Sequence, residues 1–120
     1  MPKSGDFHRL GIAELHNAFA RGETSPSVVL DHFLGRIESL DDRLRSFVEV
    51  DAKGARAAAF VSDARFAADS RRPLEGIPIA IKSNIAVKGL ELAAGMDARR
   101  GMIAEEDAPV VQRLRDAGAI

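Results

Sequence analysis

The stretch Pro73-Leu74-Glu75-Gly76-Ile77-Pro78-Ile79-Ala80-Ile81-Lys82-Ser83-Asn84 restricts what this chain can fold into more than any other. A turn signal, Pro73 with Gly76, leads into a short apolar run that ends at a lysine. Successive side chains of a strand point to opposite faces, so Ile77, Ile79 and Ile81 share one face and Pro78, Ala80 and Lys82 the other. Both faces are apolar up to Lys82, the pattern of a strand covered on both sides in an α/β sheet. Pro78 has no N–H to give a ladder, which places it at the strand's start or on an unpaired side. Ala80 is small and leaves room beside the lysine stem. Carboxyl ends of strands are where α/β sheets place their chemistry.

Two other readings of these residues compete. A strand-end lysine commonly lays its stem along apolar surface and keeps its ammonium in water. Gly76, Lys82 and Ser83 also fall at phosphate-loop spacing, but Ile81 stands where the second glycine belongs. The residues between are branched and apolar, so backbone amides cannot converge on a phosphate. Nucleotide binding is excluded.

Elsewhere the chain alternates helical and extended patterns. Residues 1–9 are polar and read as a flexible N-terminus. Ile12, Leu15, His16 and Phe19 follow helical spacing, with Gly22 as a stop. Ser25-Pro26 opens a second helix with a capping residue and a first-turn proline, and its stripe is Val29, Leu30, Phe33, Leu34, Ile37 and Leu40. Phe47–Val50 predicts a short strand. Asp51 caps a helix from Ala52 to about Ala68, rich in alanine and so open to close approach. Residues 83–106 have weak periodicity and turns at Gly89 and Gly95, which suits loops over a site. Asp107 with Pro109 starts a last helix carrying Val110, Val111 and Leu114. Gly118 ends it and Ala119-Ile120 begins another strand. The 120 residues hold too few strands for a two-sided sheet and read as the front of a longer α/β protein.

Composition removes several classes of function. A net charge of −1 leaves no basic footprint for nucleic acid or anionic lipid. There are no cysteines, hence no thiolate chemistry. No apolar run approaches the roughly 18 residues of a membrane span, and the first residues lack a secretory core, so the expected address is cytoplasmic. His8, His16 and His32 do not fall at ligand spacing, and no metal or cofactor is expected. Arg99-Arg100 reads as solvated surface.

The run from Gly76 through Lys82-Ser83-Asn84 to Gly89-Leu90 resembles the lysine motif of the amidase signature family, GIPIAIKDN with a short spacer and a glycine. The alanine-rich helix before it and Asp107–Ile120 after it agree in kind and distance. The likeness extends from about Leu10 to Ile120 and covers only the start of the family's longer domain. For residues 10–120 it implies an α/β fold, the N-terminal portion of a mixed β-sheet sandwiched between α-helices. It further implies an amidase that hydrolyses a carboxylic amide to acid and ammonia or amine. In that mechanism one serine attacks the carbonyl, and a second, beside a cis peptide bond, passes its proton to a lysine. Lys82 matches that lysine. Lysine ordinarily titrates near pH 10.4, so accepting a proton at neutral pH requires burial that disfavours its charged form. Lys82 then acts as general base and later as acid for the leaving amine. By the same resemblance Gly76, Ser83 and Asn84 support the site, Asn84 by bonding the turn's backbone, and Gly95 and Met96 lie in a loop near the substrate.

This sequence departs from the family's pattern at three points. It contains no Gly-Gly-Ser-Ser-Gly-Gly-like run, so the 120 residues alone are expected to lack amidase activity. Ser83 stands where aspartate is usual. Met96 stands where serine is usual, which would enlarge the apolar part of a pocket. The alternatives are an amidotransferase subunit of the same family and a non-catalytic truncated member acting as an interaction module. The expected partners are a small-molecule amide and either further copies of the chain or an amidotransferase complex.

Overall fold

The structure, a computed structural model, describes residues 6–120. Residues 1–5 of the expected leader lie outside the described residues. Helix α1 (Ile12–Ala20) begins at Gly11, whose N–H donates to the Glu14 carboxylate at 2.7 Å. Helix α2 (Pro26–Leu44) begins at Ser25, whose hydroxyl oxygen accepts from Val28 N–H, with Pro26 in the first turn where no donor is needed. Helix α3 (Ala52–Ala67) is capped by Asp51, which accepts from Gly54 N–H at 2.9 Å. Helix α4 (Pro109–Asp116) completes the set.

Helices α2 and α3 pack antiparallel. Ser27 N–H donates to Asp63 at 3.1 Å, and one helical turn along Arg56 pairs with Asp31 at 3.0 Å. The buried residues of α3 are the small Ala59 and Ser62, as its alanine content led us to expect. The core gathers Phe7, Leu15, Phe19, Val29 and Ile77, with Leu10, Phe33, Phe66 and Ile79 packed on it. Phe19 and Phe66 meet edge to face with ring centroids 5.4 Å apart, a geometry that adds to the area the two rings bury.

The described part of the leader is ordered around Phe7. A 3-10 turn, Phe7–Arg9, inserts the Phe7 ring into the core, where it is 5% exposed. A large ring with an apolar pocket within reach is held by burial, whatever the polarity of its neighbours in sequence.

The expected sheet is the largest difference. Among the described residues there is no strand, and the only bridge pairs Glu91 with Ile103, antiparallel. Phe47–Val50 runs as an exposed connector between α2 and α3. Among the described residues its backbone has no ladder partner, and a strand pattern without a partner stays irregular. The lysine run comes closer. Ile120 N–H donates to Ile77 C=O at 2.9 Å, and Ile79 N–H to Ile120 C=O at 2.8 Å, the alternation of a parallel ladder. Pro78 stands between them, where no donor is required. Ile77 is 3% exposed and Ile79 and Ile81 half-buried, whereas Ala80 and Lys82 are exposed and Pro78 is half-buried. The expected cover on the second face is therefore missing among the described residues.

What anchors this run is a buried carboxylate. Glu75 is 0% exposed and accepts from Ser62 Oγ of α3 at 2.6 Å, from Arg72 Nε at 2.7 Å and from Arg72 Nη2 at 3.1 Å. The same guanidinium donates to Arg115 C=O in the last turn of α4 at 3.2 Å, a favourable place for positive charge. Burial pushes the Glu75 carboxyl up, but the Arg72 and Ser62 bonds outweigh it and leave it below its ordinary value of 4.5. Two glycines make room. A Cβ on Gly76, whose φ is +76°, would lie 2.5 Å from Pro26 Cγ; one on Gly118, φ +97°, would lie 2.8 Å from Glu75 Cα.

Glu75→Ala is expected to lower stability by about 3–5 kcal/mol, because it strands the Arg72 charge half in the interior. Gly76→Ala should cost about 2–4 kcal/mol through left-handed strain and the clash with Pro26. Urea unfolding measures both. A carboxyl depressed in the folded state contributes stability above its unfolded value, lost as pH falls through the folded one. Stability should therefore drop below about pH 4.5, and drop less in Glu75→Gln.

Candidate active site

The site grows from the end of the lysine run. After Lys82 the chain turns, and Ile85 N–H closes the turn on Lys82 C=O at 2.9 Å. Backbone therefore closes it, where the sequence pointed to the Asn84 amide; Asn84 is exposed. The following loop is fastened to α4. Ala108 N–H donates to Ala86 C=O at 2.9 Å, and Lys88 N–H to the Asp107 carboxylate at 2.8 Å. Asp107 also accepts from Arg115 Nε at 2.7 Å. The cap position of α4 thus belongs to Ala108, and Asp107 is turned back as a latch. Burial raises the Asp107 carboxyl, but the Lys88 N–H and the Arg115 guanidinium more than offset it, leaving it below its ordinary 3.8.

A second loop comes alongside. Around the Glu91–Ile103 bridge, Ala104 N–H donates to Leu90 C=O at 3.0 Å and Leu92 N–H to Met102 C=O at 2.8 Å. This pairing presents residues 93–101 as its tip, with the 3-10 turn Asp97–Arg99 inside. Ala94 N–H reaches across to Ser83 C=O at 3.3 Å and joins the two loops. The exposed connector takes part as well: the Glu49 carboxylate accepts from Glu91 N–H at 2.9 Å.

Between these pieces lies an open groove of about 380 Å³, lined by Val48, Ser83, Glu91, Ala93, Gly95, Met96, Asp97 and Arg100. The structure so brings Ser83, Gly95 and Met96 together. Met96 is 47% exposed along the groove. Lys82 immediately precedes the lining residue Ser83 in sequence, is exposed on the open face of the run, and is not among the lining residues. Gly76 lies apart, wedged on Pro26. The Arg100 charge is taken up by Asp97 at 2.5 Å. No group of three potential metal ligands occurs among the described residues, and no described helix is long and apolar enough to cross a membrane.

Sequence reasoning missed Glu75 and the groove residues Val48, Glu91 and Arg100. For Glu75 a signal existed: Arg72 three residues earlier, and a lone carboxylate between a turn and an apolar run. Val48 and Glu91 meet the groove through long-range folding that no local pattern announces.

The Amidase family profile matches residues 28–120, most of the chain and all of the lysine run. One subunit of the glutamyl-tRNA(Gln) amidotransferase from Salinispora arenicola is 40% identical over 116 residues, 96% of this chain and 24% of that protein. The corresponding subunit from Psychrobacter sp. is 36% identical over 96% of the chain. Among solved structures, native peptide amidase from Stenotrophomonas maltophilia superposes with a TM-score of 0.89 at 32% identity, over 96% of this chain and 24% of that one. The chain belongs to the amidase family, whose members act on C–N bonds within an α/β fold. It spans about a quarter of the length of the relatives it matches.

Removing the latch tests the loop architecture. Asp107→Ala is expected to cost about 1–2 kcal/mol, since a charge-assisted bond to the Lys88 N–H is lost. Arg115→Ala should cost less than about 1 kcal/mol, because that guanidinium is half exposed and screened. Thermal unfolding of the two variants compares them directly.

Proposed function

We propose that these residues form the lysine-bearing part of an enzyme that cleaves the C–N bond of a carboxylic amide, with Lys82 as its proton acceptor and donor. The observation that carries this reading is the lysine run itself. It matches the family motif, is pinned at Glu75 and Gly76, and delivers Lys82 to a face left open beside the Ser83–Met96 groove. The nucleophilic serine and the serine that relays its proton come from polypeptide outside these 120 residues. Ser83 is not read as either of them: it stands in the turn after Lys82, at the motif position where aspartate is usual.

The chemistry follows from the placement. Polypeptide packed over Pro78, Ala80 and Lys82 desolvates the ammonium and favours the neutral amine that can take a proton. Lys82 receives the nucleophile's proton through the second serine, and the carbonyl oxygen gains negative charge. Lys82 then returns the proton to the leaving nitrogen as the C–N bond breaks, which leaves the acyl group on the nucleophilic serine, from which water releases it as the acid. Met96 gives the groove an apolar wall, which favours apolar acyl groups. Ser83, Asn84 and Gly95 shape the two turns around it.

A second reading shares the chemistry and differs in the fate of the nitrogen. Two of the matched relatives are glutamyl-tRNA(Gln) amidotransferase subunits, which supports transfer, whereas the likeness to peptide amidase supports release.

The test is amide turnover by the polypeptide that carries both these residues and the serines. Lys82→Ala is expected to lower kcat by about 10²–10⁴-fold, and the 120-residue chain alone to show no turnover. Undiminished turnover in Lys82→Ala overturns the assignment. Amide-dependent modification of glutamyl-tRNA(Gln), without release of free ammonia, would select the second reading.

A further inference from the structure

Histidines 24 residues apart in sequence meet at the N-terminal edge of the fold. His8 Nδ1 and His32 Nε2 are 3.2 Å apart, with ring planes inclined by 11° and centroids separated by 5.4 Å. The centroid distance exceeds the nitrogen distance by about one ring diameter, so the imidazoles meet end to end and nearly coplanar. That is the geometry of an N–H···N bond, in which one ring donates and the other accepts. Two nitrogens facing along one line at this distance leave no room for a metal ion, whose bonds to each would need about 2 Å.

We propose that His8 and His32 form a shared-proton latch that holds the N-terminal 3-10 turn on α2 at neutral pH and releases it in mild acid. Protonating one ring preserves the bond, because an imidazolium N–H still faces a neutral acceptor. Protonating both sets two N–H groups against each other and adds like-charge repulsion. The closed latch therefore holds at most one extra proton, whereas the separated rings take two. Opening takes up one proton, and its equilibrium rises about tenfold per pH unit once both free imidazoles are charged.

The surroundings act in the same direction. Burial first, then His8 and Arg36, push His32 below its ordinary 6.5, and Asp6 opposes them. Arg36 lies one turn along α2, and Asp6 is partly engaged by Arg9 at 3.6 Å. Asp31, beside His32 in sequence, is occupied by Arg56 of α3. Phe7 and Phe33 meet the half-buried His32 ring edge to face, with centroids 5.4 Å and 5.6 Å away. A group depressed in the folded state stabilises it above the unfolded value and stops doing so as pH falls. Phe7 shares the core cluster with Ile77, so release of the turn uncovers the layer on which the lysine run rests.

Amide hydrogen exchange in the 120-residue chain, corrected for intrinsic rates, tests the latch. Protection of Arg9 and Leu10, which donate to Asp6 and Phe7 C=O, should fall about tenfold per pH unit below about pH 6 while α2 and α3 stay protected. His8→Gln should abolish that dependence and His16→Gln should leave it. Constant protection between pH 7 and 5, or an unchanged slope in His8→Gln, overturns the proposal. Should His8→Gln fail to fold, nitrogen-detected titration of the two imidazoles in the unaltered chain decides. Two steps at least about one pH unit apart support a shared proton; two coincident, independent steps contradict it.

Discussion

A carboxylate buried without contact to water must be met by donors on every side, and Glu75 sets this condition for the rest of the fold. Ser62 brings α3 to it, Arg72 brings the preceding turn, and through Arg72 the last turn of α4 is held as well. Gly118 touches its backbone so closely that no side chain fits. Elements far apart in sequence are thereby fixed at one point, from which the lysine run departs. Such a network is specific in geometry even where an apolar substitute would match it in net energy.

The consequence for chemistry is a division of faces. Ile77 and Ile79 are spent on the core, so the alternate positions, Pro78, Ala80 and Lys82, must look the other way. A lysine there is positioned by backbone on one side and left open on the other. Its neighbourhood is completed by the two loops that Ala94 and Ser83 tie together, and the Asp107 latch keeps the first loop against α4. That open face is what the proposed pairing of Lys82 with serines on other polypeptide would require.

Much of this was legible in the sequence, for physical reasons. Ser25-Pro26 and Asp51 are local capping signals, and α2 and α3 begin where they say. The alternating isoleucines showed which residues of the lysine run share a face, but cover was expected on both faces and only the isoleucine face has it among the described residues; the position of Pro78 showed which residue would be spared a ladder bond. The sheet was less legible, because a strand is a relation between two segments and Phe47–Val50 has no partner among the described residues. Phe7 was hidden in a polar leader, and the His8–His32 contact by the 24 residues between its members. Gly95 and Met96 were readable as part of a loop; that the Glu49–Glu91 contact brings Val48 to the same groove was not.

The claim on which the account rests is that the Glu75 network fixes the run leading to Lys82. Residue-resolved hydrogen exchange of Gly76, Ile79 and Ile120 in Glu75→Gln, beside the unaltered chain, addresses it most directly, since these amides report the bonds to Gly118, Ile120 and Ile77. Their protection is expected to collapse while the α2–α3 pair keeps most of its own. Equal protection of the three amides in both proteins would contradict it, and would move the anchor of the lysine run elsewhere.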